Sequence, residues 1–167
     1  ARSAFSFLEG ASLPEDMIDR AAALSIEGVA LLDRDCVSGA VRFHKHAVKK
    51  GIRAWIGAEV TAAEGFRYPL IAATRAGYQN LCRLITSMKL RSEKGKAAAT
   101  EAEFRAHAEG LICLARDGQP VETLAGIYGR GNVYIAGQTT SPNLPGSFNS
   151  VQSVAALLPD AFVARFD

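Results

Sequence analysis

Short apolar runs alternate with segments of helical spacing along most of this chain of 167 residues, and this alternation constrains its fold more than any other feature. Strand-like runs are predicted over 29–32, 52–60, 68–73, 111–115 and 132–136. Helices are predicted, mainly from the spacing of apolar residues, over 14–25, 40–50, 77–90, 100–107 and 121–128. Strands separated by helices are typical of βαβ units, so we predict an α/β fold with a mostly parallel sheet or barrel.

Two helix starts carry a capping pattern. Glu15 follows Ser12 at the spacing of a capping box, and Pro14 suits the first turn of a helix. Thr100 and Glu103 repeat this spacing further along the chain. We therefore expect one helix to begin at about residue 14 and a short one to begin near Thr100.

The composition narrows the class of protein. Apolar residues make up 49% of the chain, which is ample for the core of one domain. The cysteines Cys36, Cys82 and Cys113 are far apart and form no CxxC motif, so neither a disulfide framework nor a zinc knuckle is predicted. Because no apolar run reaches about 18 residues and no signal peptide opens the chain, we predict no membrane partner and a cytoplasmic location.

Basic residues cluster in two places, although the net charge is only +2. The clusters consist of Lys45, Lys49, Lys50 and Arg53, and of Lys89, Arg91, Lys94 and Lys96. Such clusters are more often a solvated helix face than a track for phosphates, and we favour the solvated face. Docking of nucleic acid or of a protein on these clusters is the alternative.

Three carboxylates follow or end predicted strands. The segment LLDRD at 31–35 contains Asp33 and Asp35, and GAEV at 57–60 contains Glu59. Because the carboxyl ends of strands meet at one rim of an open sheet or barrel, these side chains could converge on a divalent metal ion. The polar run RSAFSFLEGAS at 2–12 is predicted to reach the same rim.

The histidines His44, His46 and His107 are not predicted to bind a metal. His44 and His46 are two apart on a predicted helix, so their side chains point in different directions. His107 ends another predicted helix, where an imidazole can interact with the helix dipole. The sequence contains no Gly-rich phosphate loop and no recognisable nucleophile set.

Several segments occur in the order found in one protein family. They are RSAFSFLEGAS, LLDRDCVSGAVRF, GIRAWIGAEVT and GYQNLCRLITSMKL, followed by GLICLA and GRGNVYI. Together they resemble the amino-terminal PHP (polymerase and histidinol phosphatase) domain of the bacterial DNA polymerase III alpha subunit. The arginines in the first two segments are most similar to the error-prone branch of this family. The resemblance covers roughly residues 1–136.

This resemblance implies a distorted β/α barrel with a multinuclear metal centre at the carboxyl ends of its strands, where active relatives hydrolyse phosphoesters. The first family motif is His-x-His, and Arg2 occupies the position of its second histidine in this chain. The next motif, Asp-His-Asp in the family, reads Asp33-Arg34-Asp35 here, and Glu59 matches a glutamate that bridges metals. The later histidine motifs have no clear counterpart, so we expect a partial barrel of PHP type, truncated relative to the full domain.

Arg2 and Arg34 change the chemistry that such a site can support. A guanidinium is permanently charged and offers no lone pair to a metal, whereas a neutral imidazole does. We therefore expect Arg2 and Arg34 to neutralise the carboxylates through salt bridges, with no catalytic residue and no cofactor. The alternative is a residual Mg²⁺, Mn²⁺ or Zn²⁺ ion on Asp33, Asp35 and Glu59, with Arg2 or Arg34 as a phosphate clamp.

The chain is predicted to contain three parts. Residues 1–136 form the incomplete PHP barrel. Residues 137–150, which contain two prolines and two glycines, are predicted to be a linker or loop. Residues 151–167 are predicted to form a short helical tail.

The resemblance predicts a part in DNA replication, translesion synthesis and repair through a parent polymerase. We expect a structural domain that contacts the remaining polymerase domains, with DNA bound by the parent protein and replication or repair proteins as further partners. DNA synthesis, the nucleotidyltransferase reaction, would use carboxylates elsewhere in that parent. The alternative is a metal-dependent phosphoesterase, either a nuclease or a pyrophosphatase, that uses Asp33, Asp35 and Glu59.

Overall fold

The computed structural model describes residues 1–116, 118–139 and 160–166 of the chain. Its strands are β1 (Gly28–Arg34), β2 (Arg53–Thr61), β3 (Arg67–Ala72), β4 (Leu111–Arg116), β5 (Val133–Thr139) and β6 (Asp160–Arg165). Its helices are α1 (Pro14–Ala23), α2 (Ala40–Lys50), α3 (Arg75–Arg91), α4 (Glu101–Ala106) and α5 (Val121–Tyr128). Each strand and helix predicted over 1–136 therefore has a counterpart, with small shifts at the ends.

The capping residues predicted for two helices can be compared with those in the structure. Thr100 caps α4 as predicted, since its hydroxyl accepts a hydrogen bond from the Glu103 N–H at 3.3 Å and the Glu103 carboxylate accepts from the Thr100 N–H at 2.8 Å. Helix α1 begins at Pro14 as predicted, but its N-cap residue is Leu13 and not Ser12. Asp16 accepts from the Leu13 N–H at 3.3 Å, so a carboxylate one residue later than predicted serves this helix end.

The six strands form one sheet in the order β1-β2-β3-β4-β5-β6. Only β1–β2 and β4–β5 are parallel, whereas β2–β3, β3–β4 and β5–β6 are antiparallel, so the prediction of a mostly parallel sheet is wrong. The reason for β2–β3 is the short connection, where the Ala62 N–H donates to the Phe66 carbonyl at 2.9 Å. A turn this tight can only return an antiparallel strand. The mixed α/β class is confirmed, while the sheet does not close among the described residues, and the barrel stays a prediction.

The end of the chain differs from its prediction in two respects. Residues 137–139 belong to β5, so the predicted linker 137–150 begins inside a strand, and its remainder lies outside the described residues. Of the predicted helical tail 151–167, residues 160–165 form β6, while 151–159 and 167 lie outside the described residues. β6 pairs with β5 from Tyr134 opposite Arg165 to Thr139 opposite Asp160. The free edge of β5 supplies partners for the backbone of β6, and this tertiary pairing outweighs the local pattern.

Two groups of buried apolar side chains hold the layers together. The smaller group packs α1 and α2 on β1 and centres on Ile18, Leu31 and Phe43, which are essentially inaccessible to solvent. The larger group joins α3, α4 and α5 to strands β2 to β5. It includes Cys113, whose burial raises the pKa of the thiol to about 12, whereas Cys82 is only partly buried. In this packing, strands β1 to β4 each place one end at the same rim of the sheet, and these ends carry polar side chains.

Glu103 ties the end of α3 to the start of α4. Its carboxylate accepts from Arg91 Nε at 3.1 Å and Nη2 at 2.9 Å, and from the Thr100 hydroxyl at 3.1 Å. The Arg91 guanidinium, followed by the hydrogen bonds from Thr100, lowers the pKa of Glu103 from its ordinary 4.5 to about 2. Because Arg91 also donates to the Ala98 carbonyl at 2.8 Å, the contact fixes the connection between the two helices.

Replacing Glu103 with Gln is expected to lower the free energy of unfolding by about 1 kcal/mol at pH 7. The folded-state pKa lies below the unfolded one, so this contribution is complete above about pH 5 and declines as the pH falls toward 2. Urea unfolding at several pH values should show the two proteins converging on acidification. Glu101→Gln, at an exposed pair with Arg105, is the control and should cost only a few tenths of a kcal/mol. A Glu103→Gln difference that stays constant down to pH 3 would contradict this assignment.

Candidate functional site

The first residues of the chain lie along the outer edge of β1. The Ala1 amino group donates to the Ala30 carbonyl at 2.7 Å, and the Leu32 N–H donates to the Ala1 carbonyl at 2.8 Å. This parallel pairing brings the segment after Ala1 to the carboxyl end of β1. In the β1–β2 register Arg34 lies opposite Glu59, so Asp33, Asp35 and Glu59 do meet at one rim.

Asp33 is buried and is held entirely by serine and backbone donors. Its Oδ1 accepts from the Ser3 N–H at 2.7 Å and the Ser6 hydroxyl at 2.8 Å, and its Oδ2 accepts from the Ser3 hydroxyl at 2.8 Å. The carboxylate and both serines are essentially inaccessible to solvent. No arginine of the described residues pairs with it, so Asp33 serves to anchor the N-terminal segment on β1.

Asp35 caps the end of β2. Its two oxygens accept from the Thr61 N–H at 2.7 Å and the Thr61 hydroxyl at 2.8 Å. Its own N–H donates to the Glu59 carbonyl at 3.0 Å, and its φ of 51° places it in the left-handed region, which an aspartate tolerates better than most residues. Arg34 Nε lies 3.8 Å from Oδ2, which is an ion pair without a hydrogen bond.

Glu59 is buried and lies between arginines. Arg2 Nη2 donates to its Oε2 at 2.6 Å, and Arg116 Nη2 donates to its Oε1 at 2.9 Å. Arg67 Nη1 lies 3.8 Å from Oε2. Since the side chain is only 2% exposed, these cations supply most of the stabilisation that water would otherwise give the charge.

A second glutamate, Glu9, completes the network of charges. It accepts from Arg2 Nη1 at 3.0 Å, from Arg67 Nη1 at 3.0 and 3.1 Å to its two oxygens, and from Arg34 Nη1. The hydrogen bond from Arg34, and after it the one from Arg67, lowers the pKa of Glu9. The same pairing with Glu9 raises the pKa of Arg34. Arg34 therefore has Glu9 as its main partner, which the sequence analysis did not anticipate.

Sequence reasoning missed Glu9, Arg67 and Arg116. Arg116 ends β4 and carries the same signal as Asp33, a polar residue at the carboxyl end of a strand, so it could have been found. Arg67 begins β3 and reaches this rim only because β3 is antiparallel to β2. Glu9 lies in the polar run 2–12, but its position depends on the fold of the loop that contains it.

The histidines have other contacts. His44 is exposed on α2, and His46 Nε2 lies 2.9 Å from Asp19 Oδ1. His107 Nδ1 lies 2.8 Å from the Glu103 carbonyl, at the end of α4.

The donor set at the rim does not fit a divalent cation. Each of the six oxygens of Asp33, Asp35 and Glu59 already accepts a hydrogen bond from a serine, threonine or arginine group. A metal ion would have to share these oxygens with the donors already bound to them, and at Glu59 it would meet the repulsion of the surrounding guanidinium charges. In the described ranges, no three His, Cys, Asp or Glu side chains are placed to hold a metal ion together.

The sequence matches the PHP domain family over residues 1–165, and the chain belongs to this family. The resemblance seen in the sequence motifs is thereby confirmed. The match runs past residue 136, whereas the boundaries drawn at 136 and 150 stay predictions.

The relatives include error-prone DNA polymerases. The chain is 36% identical over 111 residues to the error-prone DNA polymerase of Rhodopirellula baltica. This alignment covers 66% of this chain and 10% of the polymerase. It is 37% identical over 145 residues to the error-prone DNA polymerase of Anaeromyxobacter dehalogenans. This second alignment covers 77% of this chain and 13% of the polymerase. The chain thus spans about a tenth of the length of these relatives.

A solved structure shares the fold. It is a protein from Bifidobacterium adolescentis described as a metal-dependent phosphoesterase, with a TM-score of 0.57 and 14% identity. The superposition covers 76% of this chain and 71% of that protein. At this identity the likeness concerns the fold alone. Within the described residues, no helix has the length and apolar character needed to cross a membrane.

Proposed function

We propose that this chain is the PHP domain of an error-prone DNA polymerase III alpha-type subunit and that it has a structural role there. The observation that carries the proposal is the use of all six oxygens of Asp33, Asp35 and Glu59 by donors of the protein itself. In this proposal the arginines and hydroxyls take the place of a metal centre. The degenerate site then holds the fold together and does not hydrolyse phosphoesters.

The contacts explain how such a network would stabilise the domain. Arg2 bridges Glu9 and Glu59, so it joins the N-terminal segment to β2. Arg116 joins β4 to Glu59, and Arg34 and Arg67 join β1 and β3 to Glu9. Four cations therefore connect the ends of four strands and the N-terminal loop, which is the kind of cross-linking that a bound ion would provide. The four carboxylates Glu9, Asp33, Asp35 and Glu59 balance the four arginines in charge.

The proposed role places the catalytic chemistry of DNA synthesis outside this chain. The matched segments make up 10% and 13% of these relatives, and the names of the relatives refer to the whole polymerase. In the proposal the remaining polymerase domains are the direct partners of this domain. The parent protein binds the DNA, and replication or repair proteins are further partners.

A metal-dependent phosphoesterase is the second candidate, favoured by three carboxylates at one rim, of which Asp35 lines a cleft of about 950 Å³. Asp35 and Arg34 line this cleft, and Arg34, which is 42% exposed, is accessible to a substrate phosphate. In this candidate Asp33, Asp35 and Glu59 would hold the ion and Arg34 or Arg2 would bind the phosphate. The arginines around Glu59 count against this candidate, because their positive charges would repel a divalent ion.

A hydrolysis assay separates the two candidates. We expect no release of product from a single-stranded oligonucleotide or from pyrophosphate in the presence of Mg²⁺, Mn²⁺ or Zn²⁺. The matched control is Asp35→Asn, which keeps the size of the side chain and lies in the part of the site nearest the cleft. Metal-dependent turnover by the original chain that is lost in Asp35→Asn, with the free energy of unfolding unchanged, would contradict the structural role.

A further inference from the structure

The cleft beside the rim has aromatic and basic side chains that the proposed function does not use. It has a volume of about 950 Å³, which is enough for a nucleotide-sized group. Phe7 and Leu8 line it from the N-terminal loop, and Lys89 and Lys94 line it from the end of α3 and the segment after it. Arg34, which belongs to the network at the rim, also lines the cleft.

Phe7 and Leu8 are displayed to solvent by a loop of defined shape. Phe7 is 82% exposed and Leu8 is 89% exposed. The loop is closed by hydrogen bonds from the Glu9 N–H and the Gly10 N–H to the Ser6 carbonyl, at 2.9 and 3.0 Å. Leu8 has a φ of 62°, a left-handed conformation that is uncommon for leucine. An apolar ring held in water in this way costs free energy unless another group covers it.

The lysines of the cleft carry charges that no acidic side chain of the described residues balances. Helix α3 contains no aspartate or glutamate, and neither Lys89 nor Lys94 forms an ion pair with any residue that the structure describes. Their neighbours differ, because Arg91 pairs with Glu103 and Lys96 pairs with Glu93.

The acidic residues that line the cleft are already paired. They are Glu9 with Arg34 and Arg67, Asp35 with Thr61 and Arg34, and Glu93 with Lys96. A polyanion in the cleft would therefore meet the free charges of Lys89 and Lys94 and acids whose charges are largely compensated.

We propose that this cleft binds single-stranded nucleic acid, with a base stacked on Phe7 and phosphates next to Lys89 and Lys94. An exposed aromatic ring beside unpaired cations is the combination that sequence-independent single-strand binding uses. A duplex has no free base face to offer to the ring. The proposal goes beyond the structural role and does not depend on it, since it rests on residues of the cleft that the network at the rim does not use.

The test is the fluorescence anisotropy of a labelled oligothymidylate of about twelve nucleotides, titrated with the whole chain at low salt. Phe7→Ala is expected to weaken binding at least about fivefold, since base stacking is lost. Leu90→Ala is its matched control, because Leu90 is equally exposed at 82% and lies outside the cleft. Both side chains are on the surface, so both variants should fold, which thermal unfolding verifies.

The charge is tested with two double variants. Lys89→Ala/Lys94→Ala should weaken binding and lower the slope of log K against log salt by about 1.4. Arg75→Ala/Arg83→Ala removes the same charge from exposed positions of α3 that do not line the cleft, and it should change affinity much less. Affinity for the oligonucleotide should exceed that for a duplex of the same length. Three results would overturn the proposal: equal affinity for duplex, no binding at low salt, or an affinity that Phe7→Ala leaves unchanged. The last of these would instead favour contact of Phe7 and Leu8 with a protein.

Discussion

Asp33→Ala is expected to lower the free energy of unfolding by about 3–5 kcal/mol, because it removes the buried acceptor of three hydrogen bonds. The hydroxyls of Ser3 and Ser6 and the Ser3 N–H would then be left without this partner in a site that water does not reach. The N-terminal segment would also lose its anchor on β1, which should increase the hydrogen exchange of the Leu32 amide. Urea unfolding monitored by far-UV circular dichroism measures the loss.

Two control variants make the Asp33 result specific. Asp33→Asn keeps one oxygen acceptor but turns donors toward the serines, so its cost should lie below that of Asp33→Ala and still exceed about 1 kcal/mol. Glu27→Ala removes an exposed carboxylate, paired with Arg53 at 3.0 Å, and should cost no more than a few tenths of a kcal/mol. An Asp33→Ala protein as stable as Glu27→Ala would show that the serine contacts contribute little.

Removing both hydrogen-bonding cations of Glu59, in Arg2→Ala/Arg116→Ala, is expected to cost about 3–5 kcal/mol. Glu59 is 2% exposed, so its charge would be left in the interior, and among the described residues Arg67, at 3.8 Å, would remain as its ion-pair partner. Each single variant leaves one hydrogen-bonded guanidinium, so the double variant should lose more than the sum of the two singles. Chemical unfolding of the three proteins and of the original chain gives this coupling.

The stability lost in the double variant should be partly restored by a third substitution. Adding Glu59→Gln removes the buried charge, so the triple variant should recover stability relative to Arg2→Ala/Arg116→Ala. For comparison, Arg53→Ala/Arg105→Ala removes two cations from exposed pairs and should be additive within a few tenths of a kcal/mol. Additive losses for Arg2 and Arg116, with no gain from Glu59→Gln, would mean that Glu59 is stabilised by other groups.

The strands, the helices and the meeting of three carboxylates could be predicted because they depend on local patterns. Apolar spacing locates each element, and Asp33, Asp35 and Glu59 follow strands whose carboxyl ends share a rim. Arg2 was expected near the carboxylates because of the family resemblance, which puts it at the second histidine position of the first motif. The antiparallel direction of β3 was missed, although the short connection between β2 and β3 is a local feature and contains Gly65, a typical turn residue.

The partners of the charged groups were harder to predict than their positions. Arg34 was expected to neutralise the neighbouring aspartates, but its guanidinium is directed to Glu9, which comes from a loop far away in the sequence. Asp33 is satisfied by two serine hydroxyls and a backbone N–H, because the N-terminal segment packs against β1. Hydrogen-bond partners of this kind are set by the close approach of separate segments, and no sequence spacing encodes that approach.

Metal stoichiometry is the most direct test of the claim that arginines and hydroxyls replace a metal centre at this rim. The chain would be equilibrated with Mn²⁺, Zn²⁺ and Mg²⁺ and analysed for bound metal, with calorimetric titration added for ions that dialysis removes. We predict far less than one ion per chain, and no change in Asp35→Asn or Glu59→Gln. About one ion or more per chain, lost in either variant, would contradict the account and favour the metal-dependent phosphoesterase.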